Sequence, residues 1–415
     1  MATTERAELR FSVEKSAYIG NLHVGYVGYG KWRALPGNEG FTGGFTFPPE
    51  YDAYSDYAHV QNVEKVEALA KRAMKAKDWD GIDILVGASV SARDYVPHET
   101  ADNLRQNGIY VGESKFYGYA CLGGMAAVTD LALDPKYEGA RVVVVPFENL
   151  SGTVMGPVEN GEYNATQNMF GNGAGWMAFE AGKDLKCLYA CVVVDHDEYG
   201  VIKVPRAYEL PPEEERLEPP AHYQFVGDSR KHFAWTKNGA YKEMPLSKDH
   251  TRMEPIPTLK EFAYKGAEHI AQNDSVFISK YWPKYGFMPI GEPWMHQASS
   301  TVVGALENRT RIQMLSYYGV ERATITKLNK MDQFERQEKI AEILGAKDVP
   351  ALWYHDPSLP WVMKESLLNN VSGATSFVQL TEMACQGRIK PGTITPAYGF
   401  AIGSMFGSYY VVFDQ

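Results

Sequence analysis

The chain has 415 residues, of which 45% are hydrophobic and 22% charged, and its formal net charge is -10. This composition is typical of a globular protein with ample apolar material for a core, and the length predicts two or three domain-sized units or one large duplicated fold. The acidic balance and the lack of long Lys/Arg runs argue against nucleic acid or an anionic membrane as a partner.

The N-terminus, MATTERAELRF, carries charges but no apolar core of signal-peptide length, and nowhere do about 18 uninterrupted apolar residues occur. We therefore expect a cytoplasmic protein without a membrane segment. The four cysteines, Cys121, Cys187, Cys191 and Cys385, are too few and too irregularly spaced for a disulfide framework or a zinc site. In LKCLYACVVVDH, the four-residue spacing predicts that Cys187 and Cys191 share one half-buried strand face within the core.

Helical and strand-like segments alternate along the chain, which predicts an α/β architecture. In the first part, VEKVEALAKRAMKAKD has helical spacing, and IDILVGAS, GARVVVVPFE, WMAFE and CLYACVVVDH have the character of strands. In the last part, TLKEFAYKGAEHIA, SSTVVGALENRTRIQML and QFERQEKIAEILG predict helices, and SYYVVFD predicts a closing strand. Between them, prolines such as those of PPEEERLEPP break regular structure. We predict an N-terminal half at residues 1–200, a connecting or inserted region at 201–257, and a C-terminal half at 258–415.

The two halves resemble each other weakly. YACLGGMAAVTDLAL and LNNVSGATSFVQLTEMA both run from a polar or nucleophilic residue through small residues into an apolar helix. FGNGAGWMAFE and GSMFGSYYVVF both place glycines ahead of a predicted strand. Two such pairs in the same order favour a duplicated α/β fold, and in this comparison Asn370 takes the place of Cys121.

Cys121 is the candidate nucleophile of this chain. It stands where the extended segment ESKFYGYA meets the helix CLGGMAAVTDLAL, so its sulfur lies at a helix N-terminus, where the dipole and the unpaired N–H groups favour the reactive thiolate. A buried free cysteine is the alternative. His296, which precedes another predicted helix, is either a buried structural residue or the partner of this cysteine.

These segments resemble those of ketoacyl-ACP synthase III and its relatives in the thiolase-like superfamily. The similar stretches are, in order, ILVGASVSA, YACLGGMAA, FGNGAGWMAF, MHQAS, NNVSGATSF and GRIKPGTITPAYGFAIGSMFGSYYVVF. The resemblance implies a duplicated, five-layered α-β-α-β-α thiolase-like fold with inserted segments. It also implies a catalytic triad of Cys121, His296 and Asn370, with Asn369 as the competitor for the last role.

The resemblance further implies the chemistry. Cys121 would accept an acyl group from acyl-CoA or an acyl carrier protein, which are substrates, so no bound cofactor or metal is expected. The backbone N–H groups of Cys121 and Gly403 would form the oxyanion hole. His296 and Asn370 would then stabilise the enolate of a malonyl thioester, or His296 would act as a base on an alcohol or amine.

This chain departs from the synthase III pattern at three places. The segment GYGKWRALPGNEGFTGG offers Trp32 and Arg33 as loose substitutes for the usual CoA-gripping residues. Ser299 and the two residues after it replace the family's carrier-protein docking residues. Asn370 follows His296 by 74 positions, which indicates an insertion between them.

Other functions stay open at the level of sequence. The acceptor could be an oxygen, nitrogen or aromatic carbon instead of a malonyl carbon. A hydroxymethylglutaryl-CoA synthase-like enzyme ranks lower, because VGASVS puts Ser89 where that class has its acid/base glutamate. A non-catalytic partner subunit also ranks lower, since all three triad residues are present. We expect a homodimer, with pairing to a related subunit as the alternative.

Overall fold

The computed structural model describes twelve stretches of the chain. They are residues 13–28, 56–149, 172–194, 232–235, 241–244, 257–297, 300–317, 319–328, 330–331, 333–345, 370–401 and 405–414. Within these stretches, no helix is both long enough and apolar enough to cross a membrane.

Strands and helices alternate through these stretches, as the sequence predicts. The strands are β1 (Val13–Ile19), β2 (Leu22–Gly28), β3 (Gly81–Ala88), β4 (Tyr110–Tyr117), β5 (Arg141–Asn149), β6 (Asn172–Glu180), β7 (Leu185–Val194), β8 (His232–Trp235), β9 (Tyr241–Met244), β10 (Trp294–Met295), β11 (Ile394–Ala401) and β12 (Met405–Phe413). The helices are α1 (Asp56–Lys77), α2 (Val96–Gln106), α3 (Gly123–Leu133), α4 (Pro257–Val276), α5 (Ser300–Tyr317), α6 (Arg322–Leu328), α7 (Gln333–Gly345) and α8 (Thr375–Cys385). Short 3₁₀ turns at Ala120–Leu122 and Ser372–Ala374 lead into α3 and α8.

The strands form two larger sheets and one hairpin. The first sheet has the order β1-β2-β6-β5-β3-β4, the second has the order β10-β11-β12-β7, and β8 pairs with β9. In the first sheet β3 runs parallel to both β4 and β5. Because helices cover both faces of such strands, they are apolar almost throughout, and every residue of β3 except Asp83 is buried.

Five layers follow from which side chains pack together. On the outer face of the first sheet, Leu85 packs in one cluster with Leu69 of α1 and Leu104 of α2. On its inner face, the neighbouring Val86 packs with α3 and α8, which also contact the second sheet. On the outer face of the second sheet, Phe406 packs with residues of α4 and α5. The predicted α-β-α-β-α arrangement is therefore confirmed.

The glycine-rich segments differ from the prediction. Gly173 and Gly175 lie inside β6, and Gly407 lies inside β12, so these glycines do not precede their strands. At Gly175 an added Cβ would lie 2.6 Å from Cβ of Phe377, so the missing side chain lets α8 approach β6 closely.

The cysteine pair of β7 also differs from the prediction. The register of β7 against β12 shifts at Tyr410, and Leu188 has no opposite residue there. This bulge reverses the alternation of side chains, so that Ala190 joins the cluster containing Cys187. Cys191, which is partly exposed, instead bonds Tyr189. The four-residue spacing therefore does not put both cysteines on one face.

One strand crosses between the two halves. β7 lies before residue 200 in the chain, yet its hydrogen-bonded neighbour is β12 at the C-terminus. The second sheet is thus completed by a strand from the N-terminal part. The boundaries at residues 200 and 257 stay predictions, since the stretch between them is described only at β8 and β9.

Candidate active site

Cys121 lies at the start of a helix, as predicted. The chain leaves β4, passes through Ala120 in a left-handed conformation with φ 45°, and enters α3 at Gly123. The side chain is buried, with an exposed fraction of 7%. A thiolate here would face the positive end of the α3 dipole, which stabilises a negative charge.

The turn before α8 repeats this geometry and packs against it. Both turns have three residues, both following helices have eleven, and Ser372, with φ 51°, occupies the position of Ala120. The residue that corresponds to Cys121 is consequently Gly373. The correspondence with Asn370 is wrong, because Asn370 lies three positions earlier, before the turn begins.

Asn370 is nevertheless held next to the second turn. Its Oδ1 accepts hydrogen bonds from the backbone N–H of Ser372 at 2.8 Å and from the hydroxyl of Thr375 at 3.2 Å. With Oδ1 fixed by two donors, the Nδ2 amide is the part of the side chain that can donate to a substrate oxygen.

A single hydroxyl connects the second turn to the nucleophile. Ser372 Oγ lies 3.3 Å from Cys121 Sγ. The backbones also meet, since an added Cβ at Gly373 would lie 3.3 Å from the carbonyl oxygen of Ala120. The structure therefore brings Cys121 together with the turn that follows Asn370.

His296 follows β10 at the edge of the second sheet. Its backbone N–H donates to the carbonyl of Tyr398 at 3.0 Å, and its ring meets Phe400 edge-on at 5.1 Å. The indole of Trp294 donates to the carbonyl of Ser376 at 2.7 Å, which ties β10 to α8. β11 pairs with β10 and also contacts the turn of Cys121. It therefore lies between the strand that ends at His296 and the turn that carries the cysteine.

Burial decides the charge of His296. Its exposed fraction is 1%, and desolvation lowers the pKa of the imidazole to about 3. Within the described residues its Nδ1 has no hydrogen-bond partner. A bare acceptor is less costly than a buried unpaired N–H, so the tautomer protonated at Nε2 is favoured, and the neutral ring offers a donor there.

Several residues of the sequence hypothesis lie outside the described residues. These are Gly403, the second predicted oxyanion donor, together with Trp32, Arg33, Asn369 and Ser299. Their predicted roles stay predictions.

Sequence reasoning missed one charged residue beside the site, Glu148. It closes the apolar strand VVVVPFE and is completely buried. Its carboxylate accepts a hydrogen bond from Ser89 Oγ at 3.0 Å. A glutamate side chain therefore contacts Ser89, the residue that stands at the glutamate position of hydroxymethylglutaryl-CoA synthases in the sequence comparison. An acidic residue at the end of an otherwise apolar buried strand was the available signal.

Comparisons with known proteins bear on the fold. No family model and no curated protein matches the sequence. A solved 3-oxoacyl-(acyl-carrier-protein) synthase III matches 97% of this chain and 98% of its own at 15% identity, with a TM-score of 0.52. The priming β-ketosynthase of the R1128 polyketide biosynthetic pathway matches with 14% identity, coverages of 90% and 86%, and a TM-score of 0.51. The synthase III of Thermus thermophilus matches with 14% identity, coverages of 91% and 88%, and a TM-score of 0.50.

The architecture and these likenesses agree with each other. This chain places two mixed sheets around a central pair of helices, each preceded by a tight turn, and the likenesses cover 90% or more of it. The chain therefore has the duplicated thiolase-like fold of 3-oxoacyl-(acyl-carrier-protein) synthase III.

Proposed function

We propose that the protein is an acyltransferase of the ketoacyl synthase III type that works through an acyl-cysteine. The observation that supports this most directly is Cys121 at the start of α3, with the hydroxyl of Ser372 3.3 Å from its sulfur and Asn370 beside the same turn. A buried cysteine of purely structural purpose needs no such polar neighbours.

In the first half-reaction, the thiolate of Cys121 attacks the carbonyl carbon of an acyl-CoA or carrier-protein thioester. A new C–S bond forms, the old one breaks, and the donor leaves as a thiol after taking up a proton. The backbone N–H groups of Cys121 and Gly403 are the proposed donors to the oxyanion of the intermediate.

In the second half-reaction, a malonyl thioester loses CO₂ and becomes an enolate. His296 and Asn370 donate hydrogen bonds to its thioester oxygen, and the carbanion attacks the acyl carbonyl, which releases Cys121. The neutral state of His296 suits a hydrogen-bond donor, because burial lowers the pKa of the ring to about 3.

The lowered pKa of His296 also bears on whether the acceptor is a malonyl carbon or an alcohol or amine. Transfer to an alcohol or amine is accelerated most by a base whose pKa lies near the operating pH. An imidazole with a pKa of about 3 is a weak base, so the structure favours the decarboxylative condensation over that alternative.

One observation bears on the hydroxymethylglutaryl-CoA synthase-like alternative. Ser89 stands where that class has its glutamate, and the carboxylate of Glu148 lies 3.0 Å from the Ser89 hydroxyl. A carboxyl group is therefore present near the nucleophile, although it comes from β5. Product analysis with acetyl-CoA and either malonyl-CoA or acetoacetyl-CoA separates the two reactions.

Acyl loading is the direct test. The protein is incubated with a series of acyl-CoAs and weighed intact, and we expect one acyl group on the wild type and none on Cys121→Ala. Cys187→Ala is the matched control, because burial raises the pKa of the Cys187 thiol to about 12 and so keeps it unreactive. An acyl label that persists on a folded Cys121→Ala variant would falsify the assignment.

A further inference from the structure

The carboxylate of Glu148 is held by four donors from the loop that follows β3. The backbone N–H groups of Val90 and Ser91 donate at 2.8 Å and 3.1 Å, and the hydroxyls of Ser89 and Ser91 donate at 3.0 Å and 2.5 Å. A buried carboxylate is costly, and this cradle compensates for part of the lost hydration. Such a set of donors fixes the position of the carboxylate, and none of the described residues pairs a guanidinium with it.

The hydroxyl of Ser372 links this carboxylate to the nucleophile. It lies 3.3 Å from Cys121 Sγ, the turn of Ser372 contacts β5, and interaction with the Ser372 side chain lowers the pKa of Glu148 against the larger effect of burial. A hydroxyl carries one proton, so it donates to only one of these neighbours at a time. When it donates to Glu148, its oxygen accepts from the thiol, and when it donates to the sulfur, Glu148 is the protonated member of the chain.

We propose that Ser372 and Glu148 form a proton relay that generates and later reprotonates the Cys121 thiolate. The Sγ–H proton moves to Ser372 Oγ while the Ser372 O–H proton moves to a carboxylate oxygen of Glu148. The products are a thiolate and a neutral Glu148 acid, and reversal of both transfers restores the thiol. Ser372 and Glu148 are positioning and proton-transfer groups for the nucleophile, and the relay rests on the proposed function for the identity of its electrophile.

The electrostatic surroundings suit this role. Burial raises the pKa of Glu148 to about 7, so the carboxylate accepts a proton within the neutral range. The charged group that faces it from α1 is Lys65, which is completely enclosed, and burial lowers the pKa of that ammonium to about 7 while Glu148 opposes the shift. Among the described residues, the hydroxyls of Ser89, Ser91 and Ser372 also interact with the carboxylate.

The backbone at Ser372 supports the same inference. A non-glycine residue with φ 51° is conformationally strained, and such residues cluster at functional sites. Glycine would adopt this conformation without strain, but glycine has no hydroxyl to place between the sulfur and the carboxylate. Serine supplies the hydroxyl that the relay needs, and the strained backbone conformation is kept with it.

The experiment measures thiol reactivity without any acyl substrate. Iodoacetamide alkylation of each cysteine is followed by peptide mass spectrometry between pH 5 and 10, in the wild type and in four variants. Three variants interrupt the relay: Glu148→Gln, Ser372→Ala and Ser372→Gly. Asp274→Asn is the matched control, because Asp274 is also a fully buried carboxylate with a pKa raised to about 7, but it bonds Tyr398 and Tyr410.

We expect all three relay variants to alkylate Cys121 about tenfold more slowly at pH 7 and to shift the midpoint of its pH profile upward by about one unit. The exposed Cys385 should react at an unchanged rate in every variant, and Asp274→Asn should leave Cys121 unchanged. Ser372→Gly should lower the reactivity of Cys121 as much as Ser372→Ala does, although glycine relieves the left-handed backbone strain. The effect on thiol reactivity is thereby distinguished from an effect on stability.

Two outcomes overturn the relay: an unchanged Cys121 profile in folded Glu148→Gln, or an equal shift in Asp274→Asn. Failure of the proposed function looks different. If no thioester loads the wild type but the alkylation profile still depends on Glu148 and Ser372, the relay stands and the acyltransferase proposal is wrong.

Discussion

At the residue scale, the candidate site depends on two left-handed residues in turns that pack against each other. Ala120 and Ser372 have φ values of 45° and 51°, and each precedes a helix start in the centre of the molecule. The first turns Cys121 into position, and the second brings its hydroxyl to the sulfur. The duplication thus repeats a backbone conformation, whereas the side chains at equivalent positions, Cys121 and Gly373, differ in chemistry.

His296 and Asn370 should separate the two half-reactions. Loading needs mainly the thiolate, whereas transfer needs donors at the second thioester. We therefore expect His296→Ala and Asn370→Ala to form acyl-Cys121 but to pass it on about 10²-fold more slowly or worse, the loss typical of positioned acid/base and oxyanion groups. Rapid-quench measurement of the acyl-enzyme after addition of malonyl-CoA gives both rates.

A purely structural histidine would behave differently. Loss of a buried ring that packs on Phe400 would then reduce stability, and loading and transfer would fall together with the amount of folded protein. Unimpaired transfer from a folded His296→Ala acyl-enzyme would return this residue to the structural class.

At the scale of elements, the two central helices and β6 meet at one aromatic ring. An added Cβ at Gly124 of α3 would lie 2.7 Å from Phe377 of α8, and one at Gly175 of β6 would lie 2.6 Å from the same side chain. Both distances are shorter than real contacts allow. Glycine at these two positions therefore sets how closely α8, and with it the turn of Ser372, approaches the first sheet.

Replacement of Gly175 should consequently cost stability. We expect Gly175→Ala to lower the free energy of unfolding by about 1–3 kcal/mol, since the methyl group overpacks a closed contact. Gly304→Ala is the control: it lies in α5 with open space around its added Cβ, and alanine should raise stability there by about 0.5–1 kcal/mol. Denaturant titrations of both variants measure the two changes in the free energy of unfolding, which should have opposite signs. An equal change at both sites would contradict the packing argument.

At the scale of the whole molecule, the prediction that stays open is assembly. The resemblance to ketoacyl-ACP synthase III implies a homodimer, and closed two-fold pairing is the commonest assembly of identical chains, so we expect a homodimer. Light scattering at micromolar concentration should therefore give twice the 46.4 kDa mass of the chain. A monomer under these conditions would contradict the prediction, and a complex formed only with a related subunit would support the heteromeric alternative.

The amino-acid sequence by itself determined the alternation of helices and strands, the duplicated α/β class and the place of Cys121 at a helix start. These features are local: apolar periodicity, small residues at helix starts and the order of short motifs are all readable within a few residues. The helix at Gln333–Gly345 and the start of the helix after His296 were predictable for the same reason.

Only the tertiary structure decided which groups surround the nucleophile. Ser372 is 251 positions from Cys121, and Glu148 is 59 from Ser89, so no local pattern records either pairing. The bulge that separates Cys187 from Cys191, and the crossing of β7 to the second sheet, likewise depend on the partner strand β12. Hydrogen bonds between distant residues form where packed layers bring them together, and that packing is a property of the whole chain.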